Sequence, residues 1–431
     1  MNISIFGLGY VGCVSMGCLT RRGHKVVGVD VSPRKVDLVN QGQATIVEEH
    51  IGELIAEQYK AGRLRATISA GEAVQDSMLS FVCVGTPTGP HGHLNVEYIY
   101  HVAEQIGEAL TSKDSFHCIA IRSTVPPGTT EAFATIVERM SGKVHGTDFG
   151  VVCHPEFLRE GSGVKDFDNP PLVAFGSVCS DAVTVLRELY SDMTCPIYET
   201  TVGVAEMLKF ANNSFHALKI VFANEIGRIC DPLNVDAHEL MRLICADTQL
   251  NISPAYLKPG FAFGGSCLPK DLKAICMLAH DKYVQAPVLE AINESNEEQK
   301  TAAIKRIETS GAKRIALLGL GFKPGTDDLR NSPAVDLAEQ LLGKGYKLTI
   351  YDKNVVLSNL TGRNRDYIQA KLPHIGELLV DAAAAALNNA DVAVLATADP
   401  ELMSTVEQIR RIPVIDLTGK PTPRSHEQAN G

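Results

Sequence analysis

A chain of 431 residues, 45% hydrophobic and 21% charged, is long enough for two or three domains with sizeable cores. Its net charge of −10 gives no basis for nucleic-acid binding, and no apolar run approaches the length of a membrane span. The 11 cysteines include no Cys-x-x-Cys pair, which argues against a zinc site or a disulfide framework and fits a reducing cytoplasm.

Met1–Phe6 enters a strand pattern directly, with no basic leader, so no secretory signal is expected. The strand runs into Gly7-Leu-Gly9-Tyr-Val-Gly12, an amphipathic helix is predicted to about Arg22, and a second strand ends on Asp30. A strand before this G-x-G-x-x-G, a helix after it and an acid at the end of the next strand point to dinucleotide binding. The glycines allow a tight turn and close approach to a pyrophosphate at the helix N-terminus, and the acid accepts from ribose hydroxyls. Asp30 favours NAD because it repels a 2′-phosphate; Arg34 and Lys35 keep NADP as the alternative.

Further strands are predicted at Ser80–Gly85, Cys118–Thr124, Phe149–Cys153, Leu172–Gly176 and Pro196–Tyr198. In an open parallel sheet the loops after such strands line the ligand crevice. Thr86, Thr124, Glu156 and Glu160 are therefore placed for a site, though each also suits a cap or turn. From Gly203 to about Leu233 the pattern becomes one long helix. Leu208, Ala211, Phe215, Leu218 and Phe222 share one face, while Lys209, Asn213, His216 and Ile220 lie roughly opposite. The second stripe reads as either a solvated face or a functional line, and the helix is a candidate dimer element.

Pro259–Asp271 contains Gly264, Gly265, Cys267, Lys270 and Asp271. The glycines are expected to bend the backbone closely around a ligand. A nearby ammonium favours the thiolate, the nucleophilic form of cysteine; the alternative is a buried cysteine beside a surface turn. A second α/β unit is predicted from Lys313–Gly321 and Tyr346–Asp352, with further strands at Asp391–Thr397 and Ile412–Leu417. It echoes the first unit with a degraded glycine motif and a longer loop, Phe322–Arg330, in which Lys323 and Arg330 are candidate phosphate or carboxylate contacts.

Phe6–Gly12, Val84–Pro87, Arg122–Val125, Pro155–Glu160, Ala205–Lys209, Phe263–Asp271 and Phe322–Arg330, in this order, resemble the UDP-glucose/GDP-mannose dehydrogenase family over nearly the whole chain. The likeness is greatest to its GDP-mannose-oxidising branch. It implies two Rossmann-like doubly wound parallel-sheet domains joined by a long central helix. Residues 1–200 would bind NAD, 201–300 would link and dimerise and carry the cysteine loop, and 301–431 would bind the sugar nucleotide.

The resemblance implies a four-electron, NAD-dependent oxidation of a sugar C6 alcohol to a carboxylate through a cysteine thiohemiacetal and thioester. GDP-mannose, feeding an alginate-type polysaccharide, is the first substrate reading; UDP-glucose or a UDP-N-acetylhexosamine is the alternative. Carried over by residue, Cys267 is the nucleophile, Lys209 and Asn213 stabilise oxyanions, and Asp271, Glu156 and Thr124 position or activate water. Glu160, Lys209, Asn213, His216, Asn224, Tyr256, Lys258, Phe261, Gly264 and Lys323 would contact the sugar nucleotide. Gly7, Gly9, Tyr10, Val11, Gly12, Asp30, Lys35, Thr86, Thr124, Lys270 and Arg330 would contact NAD. A homodimer with residues shared across subunits is also implied. The chain departs from the family at His154, usually Asn or Ser, and at Ala255, where a tyrosine is usual in the mannose branch. A silent NAD-binding scaffold and a two-electron 2-hydroxy-acid dehydrogenase are the rivals; neither needs Cys267.

Overall fold

The computed structural model describes residues 1–89, 93–253, 256–257, 260–265, 267–322, 326–355, 362–408 and 412–418. It divides into two compact units, Met1–Ala217 and Leu218–Gly431.

The first unit is built on β1 (Asn2–Phe6), β2 (Lys25–Val29), β3 (Leu64–Thr67), β4 (Leu79–Val82), β5 (His117–Ile121), β6 (Phe149–Cys153), β7 (Val173–Gly176) and β8 (Ile197–Thr200). Their order is β3-β2-β1-β4-β5-β6-β7-β8. The first six strands are parallel. Successive side chains point to opposite faces, so each strand feeds two cores. Ile3, Ile5 and Phe81 enter one, with Leu8 and Met16. Phe6, Val29 and Val82 enter the other, with Ile99 and Phe133. Helices cover both faces, as a parallel sheet requires, and the strand order reverses between β1 and β4, where such folds bind ligands.

Three details differ from expectation. The edge strand β3 was not anticipated, because four residues including Arg65 carry little apolar signal. β7 pairs antiparallel to β6, and β8 follows β7, so the last two strands run against the rest. The Tyr10–Arg21 helix is buried continuously from Gly12 to Thr20 and so is not amphipathic.

A chain of buried polar groups crosses this sheet. His117 Nε2 lies 2.7 Å from Ser80 Oγ, which lies 2.7 Å from Ser4 Oγ. Burial, with Lys113 as a smaller cause, pushes the His117 imidazole down to about 3. The unfolded chain takes up this proton near 6.5, so stability from neutral His117 is present above about pH 6.5 and is lost as pH falls towards 3, by on the order of 5 kcal/mol at most. Denaturant midpoints measured across this window should show a shallower acid slope for His117→Asn; an unchanged slope would refute this assignment.

The long helix runs Val202–Cys230 and ends in a 3₁₀ turn, Asp231–Leu233. Its expected apolar face is not a core face in the single chain: Phe215 is 38% and Leu218 50% exposed. Two glutamates on the helix are buried instead. Glu206 accepts from Gly128 N, Thr130 N and Thr130 Oγ1, at 2.9, 2.9 and 2.7 Å, capping the Thr129–Ser141 helix. Glu225 accepts from Val288 N and Leu289 N, at 2.8 and 3.0 Å, capping the Pro287–Thr309 helix. Each carboxylate satisfies helix-start N–H groups that have no partner within the helix they open.

The second unit's sheet is all parallel, in the order β10-β9-β11-β12: β9 (Arg314–Leu318), β10 (Lys347–Tyr351), β11 (Val392–Leu395) and β12 (Val414–Asp416). It repeats the first unit's loop device. Gly7 N donates to Val29 O at 2.7 Å, and Gly319 N to Tyr351 O at 2.8 Å. Leu8 N donates to Asp30 Oδ2 at 2.8 Å, and Leu320 N to Asp352 Oδ2 at 2.7 Å. In both units the acid after the second strand holds the first glycine loop.

Candidate active site

At the β1/β4 switch point the three glycines of Gly7–Gly12 have separable roles. Gly7 has φ +94°, and a Cβ there would meet the Cys83 carbonyl group at 2.9 Å. A Cβ on Gly12 would lie 1.9 Å from Gly7 O. Gly9 faces open space and starts the helix. A tight turn, an open approach and a close helix contact are what a pyrophosphate cradle needs, so the loop fits a dinucleotide. Asp30 Oδ2 accepts from Leu8 N and, at 3.0 Å, from Lys35 Nζ; Oδ1 accepts from Ser32 N at 2.9 Å. Oδ1 thus retains acceptor capacity for a ribose hydroxyl. Thr86 Oγ1 donates to Thr124 O at 2.9 Å, pinning the loops after β4 and β5 together. Val11 is half-buried. The Tyr10 hydroxyl lies 2.7 Å from Arg159 O and 3.0 Å from Glu48 Oε2.

A cavity of about 500 Å³ opens beside the loop after β6. Glu156, Lys209, Asn213 and His216 line it. The line of polar residues along the long helix therefore faces a cavity. Lys209 Nζ lies 3.0 Å from Glu156 Oε1, with both side chains only 12% and 10% exposed. Leu158 N donates to Glu156 Oε2 at 2.6 Å. The pair presents a cation whose remaining donors are aimed by a fixed carboxylate. Glu160, on the same loop, is exposed.

His154 also lines the cavity. Its Nδ1 lies 2.9 Å from Ala174 O, and its Nε2 lies 2.8 Å from Arg122 Nη1 and 2.7 Å from Tyr190 OH. Burial first, then the Arg122 charge, holds it well below the usual imidazole range. A neutral ring donating from Nδ1 and accepting at Nε2 satisfies these contacts.

In the second unit Cys267 is exposed and stands immediately before the Leu268–Asp281 helix, whose first bond runs from Asp271 N to Cys267 O at 2.9 Å. Lys270 pairs with Asp271 at 2.5 Å, and this bond, more than the nearby Cys267, raises its pKa. Arg330 forms a fork with Asp328, at 2.9 and 2.7 Å, and also lies within electrostatic reach of Cys267. Cys267 thus stands at the positive end of a helix, with two carboxylate-paired cations, Lys270 and Arg330, within electrostatic reach.

The glycine pair before Cys267 also makes room for protein. A Cβ on Gly264 would lie 2.2 Å from Asn331 O, and one on Gly265, at φ +92°, would lie 2.9 Å from the Phe322 ring. Phe261 is half-buried against the second unit's core, Asn224 is exposed on the long helix, and Tyr256 is 85% exposed. Lys258 and Lys323, and Ala255 with them, lie outside the described residues.

Sequence reasoning assigned no role to Glu48, Glu206 or Glu225. Glu48 accepts from Gly161 N and Gly163 N, both at 2.8 Å, tying the loop after β6 to Tyr10. A carboxylate in a polar stretch reads as surface charge, and nothing local reveals a backbone partner so distant in the chain.

Family profiles match in three consecutive segments. The UDP-glucose/GDP-mannose dehydrogenase family NAD binding domain matches residues 1–194, its central domain 203–298 and its UDP binding domain 316–419. The chain is 47% identical to a GDP-mannose 6-dehydrogenase of Pseudomonas putida, covering 98% of each chain. It is 37% identical to a UDP-glucose 6-dehydrogenase of Haloferax volcanii, covering 92% of this chain and 91% of that one. The crystal structure of a ternary complex of GDP-mannose dehydrogenase from Pseudomonas aeruginosa superposes with a TM-score of 0.95 at 45% identity, covering 99% of this chain and 98% of that one.

Proposed function

The chain belongs to the UDP-glucose/GDP-mannose dehydrogenase family, and on that basis we propose that it oxidises the C6 alcohol of GDP-mannose to the carboxylate of GDP-mannuronate, using NAD. The higher identity to GDP-mannose than to UDP-glucose enzymes supports this substrate over the UDP-sugars. The product suits an alginate-type polysaccharide.

One observation carries the chemistry: an exposed cysteine at a helix start, flanked by Lys270 and Arg330, in a chain that also builds a dinucleotide cradle. NAD, when bound, accepts hydride, once from the alcohol and once from the thiohemiacetal, so two NAD and one water are consumed per carboxylate. Cys267 adds to the aldehyde and leaves from the thioester when water attacks. Lys209, held by Glu156, donates to the oxygen that gains charge in each addition, with Asn213 as a second donor. Thr124, Glu156 and Asp271 position or activate water. Residues 1–200 serve NAD, 201–300 the thiol and dimerisation, and 301–431 the sugar nucleotide.

Exposed apolar residues on one face of the long helix, Phe215 at 38% and Leu218 at 50%, support a homodimer through this face; a monomeric mass in sedimentation would oppose it. No helix among the described residues is long and apolar enough to cross a membrane. No disulfide links the cysteines, which suits a cytoplasmic setting.

The test is NADH counted per sugar nucleotide consumed, with GDP-mannose, UDP-glucose and UDP-N-acetylhexosamines offered separately. Two NADH per GDP-mannose are expected. Two per UDP-sugar would move the substrate, and one per substrate would end the thioester mechanism.

A further inference from the structure

The stretch leading to Cys267 hangs on side-chain amides from two neighbouring elements. Phe263 N donates to Asn296 Oδ1 at 2.9 Å, and Asn296 Nδ2 donates back to Phe263 O at 3.0 Å. This reciprocal pair imitates one rung of a β-ladder and holds both polar groups of one residue. One turn further along the same helix, Gln299 Nε2 donates to Gly260 O at 2.5 Å. From the other side, Asn331 Nδ2 donates to Gly265 O at 3.2 Å. Ala262, Gly264 and Gly265 are buried between these supports. Residues 260, 263 and 265 are thus each held by a side-chain amide before Cys267, and the first helical bond holds the Cys267 carbonyl after them.

We propose that Asn296 is a positioning residue for Cys267: its amide fixes the backbone at Phe263 and thereby the point from which the thiol attacks the aldehyde carbon. This rests on the reading of Cys267 as nucleophile. Asn296 acts through the loop. Misplacing a reacting group by about 1 Å can cost about 10² in rate, so a support of this kind shows in kcat before it shows in binding.

Asn296→Asp keeps the shape and the acceptor for Phe263 N, but it loses the donor and sets a carboxylate against Phe263 O. The full-length protein would be assayed as this variant, as Asn296→Ala and, in parallel, as Cys267→Ala. Thermal unfolding would establish that each is folded at the assay temperature. Alkylation by iodoacetamide, read by peptide mass, gives the reactivity of Cys267 relative to Cys245, the other exposed cysteine. The expected result for Asn296→Asp is a kcat lowered about tenfold or more with KM for GDP-mannose and NAD within about twofold, together with a changed Cys267-to-Cys245 labelling ratio. Wild-type kcat, or a lowered kcat with an unchanged labelling ratio, overturns the positioning role while the covalent reading stands, provided Cys267→Ala is inactive. Full turnover by Cys267→Ala removes the nucleophile reading and the positioning role together.

Discussion

Replacement of Cys267 by alanine is expected to lower carboxylate formation by about 10³ or more, the scale on which loss of a nucleophile registers, while NAD still binds. The change removes one sulfur from an exposed position, so the fold should not respond. Gly9, Asp30 and Thr86, the proposed NAD contacts, are untouched. Product analysis with calorimetric titration of NAD separates the two effects. Without the thiol, the aldehyde formed in the first oxidation has no covalent anchor, so any residual NADH should approach one per sugar consumed. Wild-type turnover in this variant would remove the covalent mechanism.

The second large effect is at Lys209. Lys209→Ala should lower kcat by about 10² or more, the loss associated with one oxyanion donor, with little change in KM. The variant also leaves Glu156, whose side chain is only 10% exposed, without the cation at 3.0 Å. Stability should therefore fall as well, because a nearly buried carboxylate loses its partner. Lys209→Ala combined with Glu156→Gln separates the contributions: the double variant should recover stability but not rate. A rise in KM at unchanged kcat would make Lys209 a binding residue instead.

The parts legible in the sequence are those whose physics is local. Gly7, Gly9, Gly12 and Asp30 announce their loop by spacing, and the structure gives each the geometry that spacing requires. The second unit's echo was readable for the same reason, since Gly319 and Asp352 repeat the arrangement. What was not legible depends on partners distant in the chain. Periodicity gave the long helix an apolar face, but not that Phe215 and Leu218 on it are left exposed in the single chain. Glu206 and Glu225 carried no assigned role, because the helix starts they cap lie far from them in the chain. The direction of β7 depends on how the chain returns after β6, which residue pattern does not encode. Gly264 and Gly265 signalled a need for space without saying that Asn331 and Phe322 fill it. His154 departs from the family pattern, and its fit with Arg122, Tyr190 and Ala174 emerges only in three dimensions.

That glycine contact bears on attempts to re-engineer substrate choice. Asn331 and Phe322 bound the loop that carries the proposed Lys323 and Arg330 contacts, and both press on backbone three or fewer residues from the thiol. A chimera that transplants only the 322–331 segment would bring a foreign surface against Gly264 and Gly265 and shift the backbone that leads to Cys267. The 260–267 and 322–331 segments form one exchangeable cassette and should be moved between homologues together.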